Sequence, residues 1–430
     1  MSKKTILFIH QNFPGQFKSL APFLAYTKKF DVHTLSWKKP GENEEPDFLS
    51  SMNDLTHHLY EINRGSSQKI HKLAVEFETK MVRADAVAKK CTELKNKGLS
   101  PDLIIDHPGW GETFFIKEIW PEAKILSFFE FYYNTSESDI DFDLDQMEVI
   151  GYEMTSKLIA RNAPINMIYL SCDEIFSPTN FQKSTAPEWF REKINVIHDG
   201  IDTDLIKPSK DDASITINYK NNNDNKPVSI KLTKKNKIIT FVNRNLEPYR
   251  GYHSFMRSLP NIQKEHPDAF ILIIGDDKVS YGAPHPSGNS FKNIFLNEVK
   301  DSLIDINKII FLGKVDYNTF INILNLSSVH VYLTYPFVLS WSMLEVMALE
   351  KVVVGSKTGP VEEVINDNEN GLLVDFFNID EISEKVNDVL SNPESYNKIR
   401  KNARKTIINH YDLRRVSLPK QFKLIERLLK

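Results

Sequence analysis

The stretch 329–375 constrains the fold most, because its hydrophobic pattern alternates between the period of a strand and that of a helix. A β-branched and aromatic run at His330–Thr334 predicts a strand, and Pro336 ends it because proline donates no ladder hydrogen bond. Ser340–Ser342 then opens a predicted helix, and Val352–Gly355 predicts a short buried strand before a further turn and helix. This order is typical of a parallel α/β sheet.

The chemistry expected of this stretch follows from its two strand–loop–helix turns. The free N–H groups and the positive dipole end of a helix form an anion site, so Ser340, Trp341 and Ser342 are candidates for binding paired phosphates. Glu345 lies about one turn further on, where a carboxylate can accept hydrogen bonds from ribose hydroxyls. The pattern therefore predicts a nucleotide-diphosphate site. An ordinary βαβ unit with a solvated Glu345 remains the alternative.

The segment Leu344–Ala348, with the sequence LEVMA, resembles the donor-binding segment of retaining glycosyltransferases of family 4, which have the GT-B fold. In that family two glutamates are separated by seven residues. Glu345 matches the second glutamate, whereas Phe337 stands at the position of the first, which helps to hold the donor sugar in the family. Because Phe337 replaces this glutamate, the resemblance leaves open both the identity of the donor sugar and the catalytic competence of the chain.

Length and composition set the broad class. A chain of 430 residues suits two α/β domains, and a formal net charge of −3 gives no general case for nucleic-acid binding. Cys91 and Cys172 suggest no disulfide framework or metal cluster. Thr5–Ile9 predicts a first strand rather than a signal peptide, and no apolar run approaches the roughly 20 residues of a membrane span. We expect a cytoplasmic protein, with peripheral contact at the inner membrane face left open.

Two loops in the first half carry candidate ligands. Gly15 lies at a strand-to-helix turn where backbone can approach a ligand closely, although such a loop can also simply close a βα unit. The loop HQNFPGQF resembles that of a family 4 subgroup, which implies that Gly15 lies near the diphosphate and that His10 and Asn12 face the cleft. His107 ends a predicted strand and matches the cleft histidine that contacts sugar or acceptor. Glu112 is a candidate acceptor ligand.

The remaining charged groups of the first half have less specific explanations. Long helices are predicted over Ile70–Lys97 and Gln146–Ala163, and Arg83 in the first of them is expected to be solvated. Aspartates alternate between Asp139 and Asp145. Such a pattern can hold a metal on a nucleotide-sugar in another glycosyltransferase fold, but here a solvated loop or an acceptor lid is favoured.

The second half is expected to open with a strand at Ile238–Val242 followed by a loop. Arg244 and Arg250 on that loop can bind a diphosphate and offset the charge that develops on the leaving group. Alternatively, both pair with local acids such as Glu247. The loop resembles the family segment G-R-L-x-x-x-K-G, in which Arg244 matches the arginine, Arg250 stands near the usual lysine and Asn243 replaces the glycine.

Four further segments complete the predicted second half. Gly313 and Val315 resemble the G-x-V segment that lines the base pocket of the family, and Gly359 is expected to shape the loop on the sugar side. Residues 206–237 predict an exposed hairpin with a mobile tip, and residues 276–289 predict a flexible lid.

The sequence as a whole therefore predicts a GT-B fold of two doubly wound Rossmann-like domains facing a cleft. The expected parts are an acceptor domain at 1–205, the hairpin insertion at 206–237, a nucleotide-sugar domain at 238–410 and a helix at 411–430 that crosses back to the first domain.

The function implied by the resemblance is retaining transfer from a nucleotide-diphosphate sugar to a saccharide or glycolipid acceptor, in surface polysaccharide synthesis. The expected catalytic residues are His107, Arg244 and Arg250, with no metal or other cofactor required. The alternatives are a non-catalytic, donor-binding partner subunit, which Phe337 favours, and a GT-B nucleotide-sugar epimerase.

Overall fold

The strand–helix alternation is present in a computed structural model of the chain, which describes residues 3–39, 54–67, 69–146, 151–210, 212–222 and 226–430. The chain divides into two units. The first comprises Met1–Gly200 and Leu413–Lys430, and the second comprises Ile201–Asp412. The predicted hairpin insertion therefore lies within the second unit.

The first unit is built on a parallel sheet with the strand order β3-β2-β1-β4-β5-β6-β7 among the residues described. Its central strands are apolar on both faces, as expected of a sheet covered by helices on both sides. The strands are β1 (Lys4–Ile9), β2 (Phe30–Trp37), β3 (Thr56–Tyr60), β4 (Leu103–Asp106), β5 (Lys124–Phe128), β6 (Glu174–Ser177) and β7 (Ile194–Val196).

The helices of the first unit differ in places from those predicted. The helix that follows the predicted strand-to-helix turn at Gly15 begins only at Leu20, because a short 3₁₀ turn over Gly15–Phe17 precedes it. The helix expected from Gln146 is described from Tyr152 and runs past Pro164 to Ser171, since the interior proline does not end it. The helices are α1 (Leu20–Tyr26), α2 (Val75–Asn96), α3 (Ile116–Ile119), α4 (Tyr152–Ser171), α5 (Asn180–Thr185) and α6 (Glu188–Arg191).

The second unit opens with the antiparallel hairpin β8 (Ser214–Lys220) and β9 (Pro227–Thr233), whose predicted tip lies partly outside the described residues. Ile217 and Leu232 of the hairpin pack against Ile238 and Leu272 of the second parallel sheet. That sheet has the order β12-β11-β10-β13-β14-β15. Its strands are β10 (Ile238–Asn245), β11 (Phe270–Asp276), β12 (Ile309–Gly313), β13 (Val329–Tyr332), β14 (Val352–Ser356) and β15 (Leu372–Val374).

One strand of this sheet differs from prediction in a way that matters for the site. β10 extends to Asn245, so Asn243 and Arg244 belong to the strand end rather than to a loop after Val242. The helices of the unit are α7 (Tyr252–Glu265), α8 (Phe291–Val299), α9 (Tyr317–Leu326), α10 (Trp341–Ala348), α11 (Gly359–Glu362), α12 (Ile379–Ser391) and α13 (Asn397–His410).

The final helix, α14 (Leu418–Leu428), belongs to the first unit although it follows the second in the chain. A π-helical turn at Leu413–Ser417 precedes it. The apolar face of α14 presents Leu424 and Ile425 to a core that also contains Phe8. Burial of this face explains why the chain returns to the first unit.

Candidate active site

The candidate residues of the first unit meet at the carboxyl edge of its sheet, the edge at which doubly wound sheets bind ligands. His10 follows β1, His107 follows β4 and Glu130 lies just beyond β5. The rings of His10 and His107 have centroids 5.3 Å apart, and the Trp110 ring lies 4.6 Å from that of His107. The topology thus gathers side chains that are about a hundred residues apart in the chain.

His10 is buried and both of its ring nitrogens have partners. Nδ1 accepts the backbone N–H of Asn12 at 3.0 Å, so Nε2 carries the proton and donates to Gln16 Oε1 at 2.8 Å. Burial, with a contribution from His107, lowers the pKa of His10 to about 3. The imidazole is therefore a neutral, positioned group. Of the two residues expected to face a cleft, Asn12 is exposed and His10 is not.

The local backbone structure also requires glycine at position 15, in addition to the predicted ligand contact. Its φ is +46°, and a Cβ atom there would lie 2.4 Å from Cε1 of the His10 ring. Glycine therefore allows the loop to close over His10. Proximity of Gly15 to a diphosphate stays a prediction.

His107 is also buried, between the rings of Phe128 and Trp110. Its Nδ1 accepts the backbone N–H of Gly109 at 3.2 Å, and its Nε2 lies 3.4 Å from Glu130 Oε2. Burial alone would lower the pKa of His107, but the neighbouring Glu130 carboxylate outweighs it and raises the pKa. Both ring nitrogens thus face protein groups, and direct contact of His107 with a ligand stays a prediction.

Glu130 is the member of this cluster that the sequence analysis did not select. Its side chain is 42% exposed. Oε1 accepts from Gln16 Nε2 at 3.2 Å, while the backbone carbonyl accepts from Gln182 Nε2 at 2.6 Å. Burial would raise the pKa of Glu130, but interaction with His107 lowers it overall. Its position beyond a parallel strand, the reasoning that selected His107, could have identified it.

Glu112 lies beneath this layer rather than at its surface. It is 1% exposed, and its two carboxylate oxygens accept from the Tyr60 hydroxyl at 2.5 Å and from the backbone N–H of Gln11 at 2.9 Å. Burial raises the pKa of Glu112 to about 7. The structure gives this carboxylate a role in connecting the end of β1 with β3. Because Glu112 is buried, its exposure does not support the predicted contact with an acceptor.

The candidate residues of the second unit also lie at a carboxyl edge, but the two arginines have different environments. Arg244, at the end of β10, is exposed and has no hydrogen-bond or ion-pair partner among the residues described. Arg250 is buried, and its Nη1 donates to Thr334 Oγ1 and to the Val338 carbonyl, each at 2.8 Å. Arg250 thereby holds the loop that follows β13.

Phe337 contributes to the enclosure of Arg250. Its ring centroid lies 5.7 Å from the guanidinium carbon, and the Tyr281 ring lies 5.0 Å from it. The Tyr249 ring contacts that of Phe337 edge-on at 5.4 Å. At the position where the family has a carboxylate, this chain thus has a ring, 4% exposed, packed among other rings and a cation.

Glu247 does not pair with either arginine, which corrects the alternative considered from the sequence. Its buried carboxylate accepts the backbone N–H groups of Ser280, Tyr281 and Gly282 at 3.1–3.2 Å. Part of the predicted flexible lid is therefore bound to the end of β10. This anchoring places the Tyr281 ring over Arg250.

Helix α10 begins as predicted, with Ser340 as its N-cap. Ser340 Oγ accepts the backbone N–H of Ser342 at 3.3 Å and lies 2.9 Å from Ser342 Oγ. Trp341, half-buried, packs against the core beside the cap. Glu345 is buried rather than solvated, and its Oε1 accepts from the Tyr317 hydroxyl at 2.6 Å. The predicted role of Glu345 with ribose stays a prediction.

The other predicted donor residues lie at the same edge. Asn243 Nδ2 donates to the Arg250 carbonyl at 3.3 Å. Gly313 ends β12 with φ +61° and open space around its Cβ direction, and Val315 follows it, half-buried. Gly359 is exposed at the start of α11. Their contacts with a donor remain predictions.

Three general features bear on other sequence expectations. Asp139 and Asp143 are buried, and Asp141 accepts backbone N–H groups of Glu137 and Ser138, so the acidic run is not simply solvated. Within the described ranges, no group of three or more His, Cys, Asp and Glu side chains is placed to hold a metal ion. No helix in the described part of the chain has the length and apolarity to cross a bilayer.

Comparison with protein families matches each half of the chain. Residues 34–206 match the model described as Glycosyl transferase family 4 group, and residues 222–406 match Glycosyl transferases group 1. Together these matches indicate a glycosyltransferase.

Two curated relatives are similar to parts of the chain. An uncharacterized glycosyltransferase of Methanocaldococcus jannaschii is 26% identical over 61% of this chain and 60% of its own length. Spore coat protein SA of Bacillus subtilis is 26% identical over 42% and 46%. Both alignments thus span less than two thirds of the relative.

Solved structures confirm the predicted GT-B fold of this glycosyltransferase. Sucrose-phosphate synthase from Thermosynechococcus elongatus is 15% identical over 99% of both chains, with a TM-score of 0.73. A glycosyltransferase from Rickettsia africae is 18% identical over the whole of both chains, with a TM-score of 0.65. Anabaena HepE, in complex with UDP and glucose, is 14% identical over 98% of this chain and all of its own, also at 0.65. At these identities the likeness concerns the fold alone.

Proposed function

We propose that this glycosyltransferase moves a sugar from a nucleoside-diphosphate sugar to a saccharide or glycolipid acceptor with retention of the anomeric configuration. The observation that carries the proposal is Arg244, an exposed guanidinium at the carboxyl end of β10 that has no partner in the described part of the chain. An unpaired arginine at the ligand-binding edge of a Rossmann-like sheet suits a phosphate.

The remaining groups of the second unit support a diphosphate beside Arg244. Helix α10 presents its positive end at the same sheet edge, since it follows β13. Arg250 holds the connecting loop from Thr334 to Val338, and so fixes the approach to that helix. Arg244 and the helix end would stabilise charge on the departing diphosphate, with the ribose on Glu345.

In the reaction, the bond between the anomeric carbon and the diphosphate oxygen breaks, and the acceptor oxygen bonds to the same face of the sugar. The departing phosphate oxygen takes the acceptor proton. A positioned cation favours this step because it lowers the energy of the developing negative charge more than that of the bound ground state. The chain need not supply a nucleophile or a metal for it.

The first unit supports an acceptor-side role. Glu130 offers a half-exposed carboxylate, fixed by Gln16 and near His107, that can accept a hydrogen bond from a sugar hydroxyl. A UDP-sugar is the first donor to test, because HepE was solved with UDP and glucose. Synthesis of a surface polysaccharide in the cytoplasm, at or near the membrane face, is the biological setting that we propose.

The test is a thermal-unfolding titration of the purified chain with a panel of UDP-, GDP- and dTDP-sugars. A ligand that binds only the folded state raises the unfolding temperature, so one nucleotide family should stand out. Transfer to an acceptor library with that donor is then followed by NMR, and the proposal expects the product to keep the donor's anomeric configuration. Inversion, or no shift with any nucleotide, would overturn it.

A second candidate is a donor-binding subunit without transferase activity, and the enclosed ring of Phe337 favours it. Binding of one nucleotide-sugar with neither transfer nor hydrolysis by the purified chain would support this candidate. Conversion of the bound donor to a different nucleotide-sugar would instead support the epimerase alternative. Transfer to any saccharide acceptor would exclude the non-catalytic subunit.

A further inference from the structure

The first unit contains a cavity of about 380 Å³ that the proposed function does not use. It lies where β2 and β3 end and where α2 passes over them. Its walls among the described residues include Trp37, Ile62, Arg64, Thr79, Val82 and Arg83. A volume in this range can enclose one or two sugar rings.

Arg83 is the charged group that distinguishes this cavity. The sequence predicted a solvated arginine, but the side chain is half-buried. Its Nε donates to Gln11 Oε1 at 2.5 Å and its Nη1 donates to the Thr79 carbonyl at 3.1 Å. Both acceptors are neutral, and no described carboxylate forms an ion pair with Arg83. Nη2 therefore has no hydrogen-bond partner among the described residues, and Arg83 is one of the residues that line the cavity.

The other arginine of the cavity is in a different state. Arg64 is exposed, and its Nη1 lies 2.9 Å from Glu78 Oε1, so its charge is compensated. Glu78 also accepts the backbone N–H of Ser67. The uncompensated positive charge of the cavity is thus concentrated on Arg83, which makes an anion the complementary ligand.

The remaining walls favour a carbohydrate that carries this anion. The half-buried Trp37 offers an indole against which a sugar ring can pack, and Thr79 adds a hydroxyl. The cavity is also linked to the cluster of His10, since Gln11 follows it directly. The backbone N–H of Trp37 donates to the Gln11 carbonyl at 3.3 Å.

We infer that this cavity is a subsite for an anionic sugar of the acceptor, in which Arg83 binds a carboxylate or a phosphate group on the sugar. The inference rests on the proposed function and narrows the acceptor class. A carboxylate would come from a uronic acid and a phosphate from a sugar phosphate, and both groups match the planar guanidinium.

The experiment uses phenyl β-glucoside, phenyl β-glucuronide and phenyl β-glucoside 6-phosphate, which differ only at C6, titrated into the full chain by calorimetry or ligand-observed NMR. At least one anionic glycoside should bind about tenfold or more tightly than the neutral one, because hydrogen bonds to charged groups contribute at this level. Preference for the glucuronide identifies a carboxylate, and preference for the phosphate identifies a phosphate. Equal binding of all three, or binding of none, overturns the inference.

Variants assign the effect to Arg83. Arg83→Gln should remove the preference for the anion, and Arg83→Lys should restore part of it. The matched control is Lys89→Gln on the same helix, an exposed lysine paired with Asp85 at 2.7 Å, which should change nothing. An unchanged preference in a folded Arg83→Gln protein also overturns the inference. If that variant does not fold, the titrations of the wild-type protein with the three glycosides test the inference by themselves.

The same preparations are titrated with the nucleotide-sugar that the thermal assay selects. If this donor binds but no anionic glycoside is preferred, the subsite inference fails and the proposed function stands. If no nucleotide-sugar binds, the proposed function fails irrespective of the glycoside series.

Discussion

The two sheets present different chemistry at the same kind of edge. At the carboxyl edge of the first unit, Gln16 joins His10 and Glu130 through hydrogen bonds, and His107 Nε2 lies 3.4 Å from Glu130 Oε2. At the carboxyl edge of the second unit, Arg244 is exposed and has no partner within the described ranges, while Arg250 is enclosed. The topology therefore determines where functional groups gather. The local partners determine which of them remain available to a ligand.

This difference separates positioning groups from binding groups. A side chain whose donors and acceptors are all satisfied within the protein is held rigidly, but it can offer a ligand little without breaking a bond. An exposed, unpaired cation has no such cost. We therefore expect substitution of the buried His10 to act mostly on stability and protonation, and substitution of Arg244 to act mostly on turnover.

The largest expected effect is that of Arg244→Ala on donor turnover. Loss of a positioned donor to developing charge typically reduces kcat by about 100-fold to 1,000-fold. The unfolding temperature should hardly change because the side chain is exposed. Steady-state kinetics with the donor chosen by the thermal assay measures the loss. The control is Arg257→Ala, a half-buried arginine paired with Glu298 at 2.6 Å, which should retain activity. Equal activity of the two variants would contradict the role of Arg244.

Glu247→Ala should have the largest effect on stability, about 3 kcal/mol, because three backbone N–H groups lose a buried charged acceptor. Denaturant unfolding measures this cost. Release of the 280–282 segment should also speed cleavage by chymotrypsin after Tyr281. Glu298→Ala is the exposed control and should cost less than about 1 kcal/mol. A Glu247→Ala protein as stable and protease-resistant as this control would show that the loop is held by other contacts.

Glu112→Gln tests the buried network through pH. The folded-state pKa of Glu112 is raised from 4.5 to about 7, so between these values the folded protein binds more protons than the unfolded chain. The contribution of Glu112 to the free energy of unfolding of the wild type should therefore fall as pH rises through that window, by up to roughly 1.4 kcal/mol per pH unit. The glutamine variant lacks this proton. Its free energy of unfolding should therefore increase relative to that of the wild type as pH rises over the same range.

The control for this pH experiment is Glu118→Gln, a substitution of an exposed carboxylate in the same unit. Its curve should run parallel to that of the wild type. If the Glu112→Gln curve also runs parallel between pH 4.5 and 7, Glu112 is ionised in the folded protein throughout this range, and burial does not govern its protonation.

The smallest expected effect is that of Phe337→Leu, about 1 kcal/mol in the free energy of unfolding. The variant loses the ring beside Arg250, but the bonds of Arg250 to Thr334 and Val338 remain. We expect the donor KM to change by only a few fold. A loss of turnover comparable to that of Arg244→Ala would mean that Phe337 has a direct role in donor binding, and this outcome would remove the contrast between the two arginines.

Short sequence patterns determined much of the secondary structure of this protein. The β-branched run predicted as the strand Val352–Gly355 lies within β14 and falls one residue short of its end, and the serine cap marked the start of α10, because strands and helix ends depend on neighbouring residues. The same pattern located the sheet edges at which His107 and Glu345 lie. Motifs that span a few residues then sufficed to indicate the GT-B fold and a glycosyltransferase.

Tertiary structure decided which charged groups are paired, buried or exposed. Arg83 looked like a solvated helix residue, yet Gln11 and the ends of two strands place it in the wall of a cavity. Glu112 looked like a ligand, yet Tyr60 and Gln11 take up its oxygens. These partners are distant in sequence, and burial or pairing changes the energy of a charge by more than any local preference does. The fold could therefore be inferred from neighbouring residues, whereas the state of each functional side chain depended on contacts that only the folded chain creates.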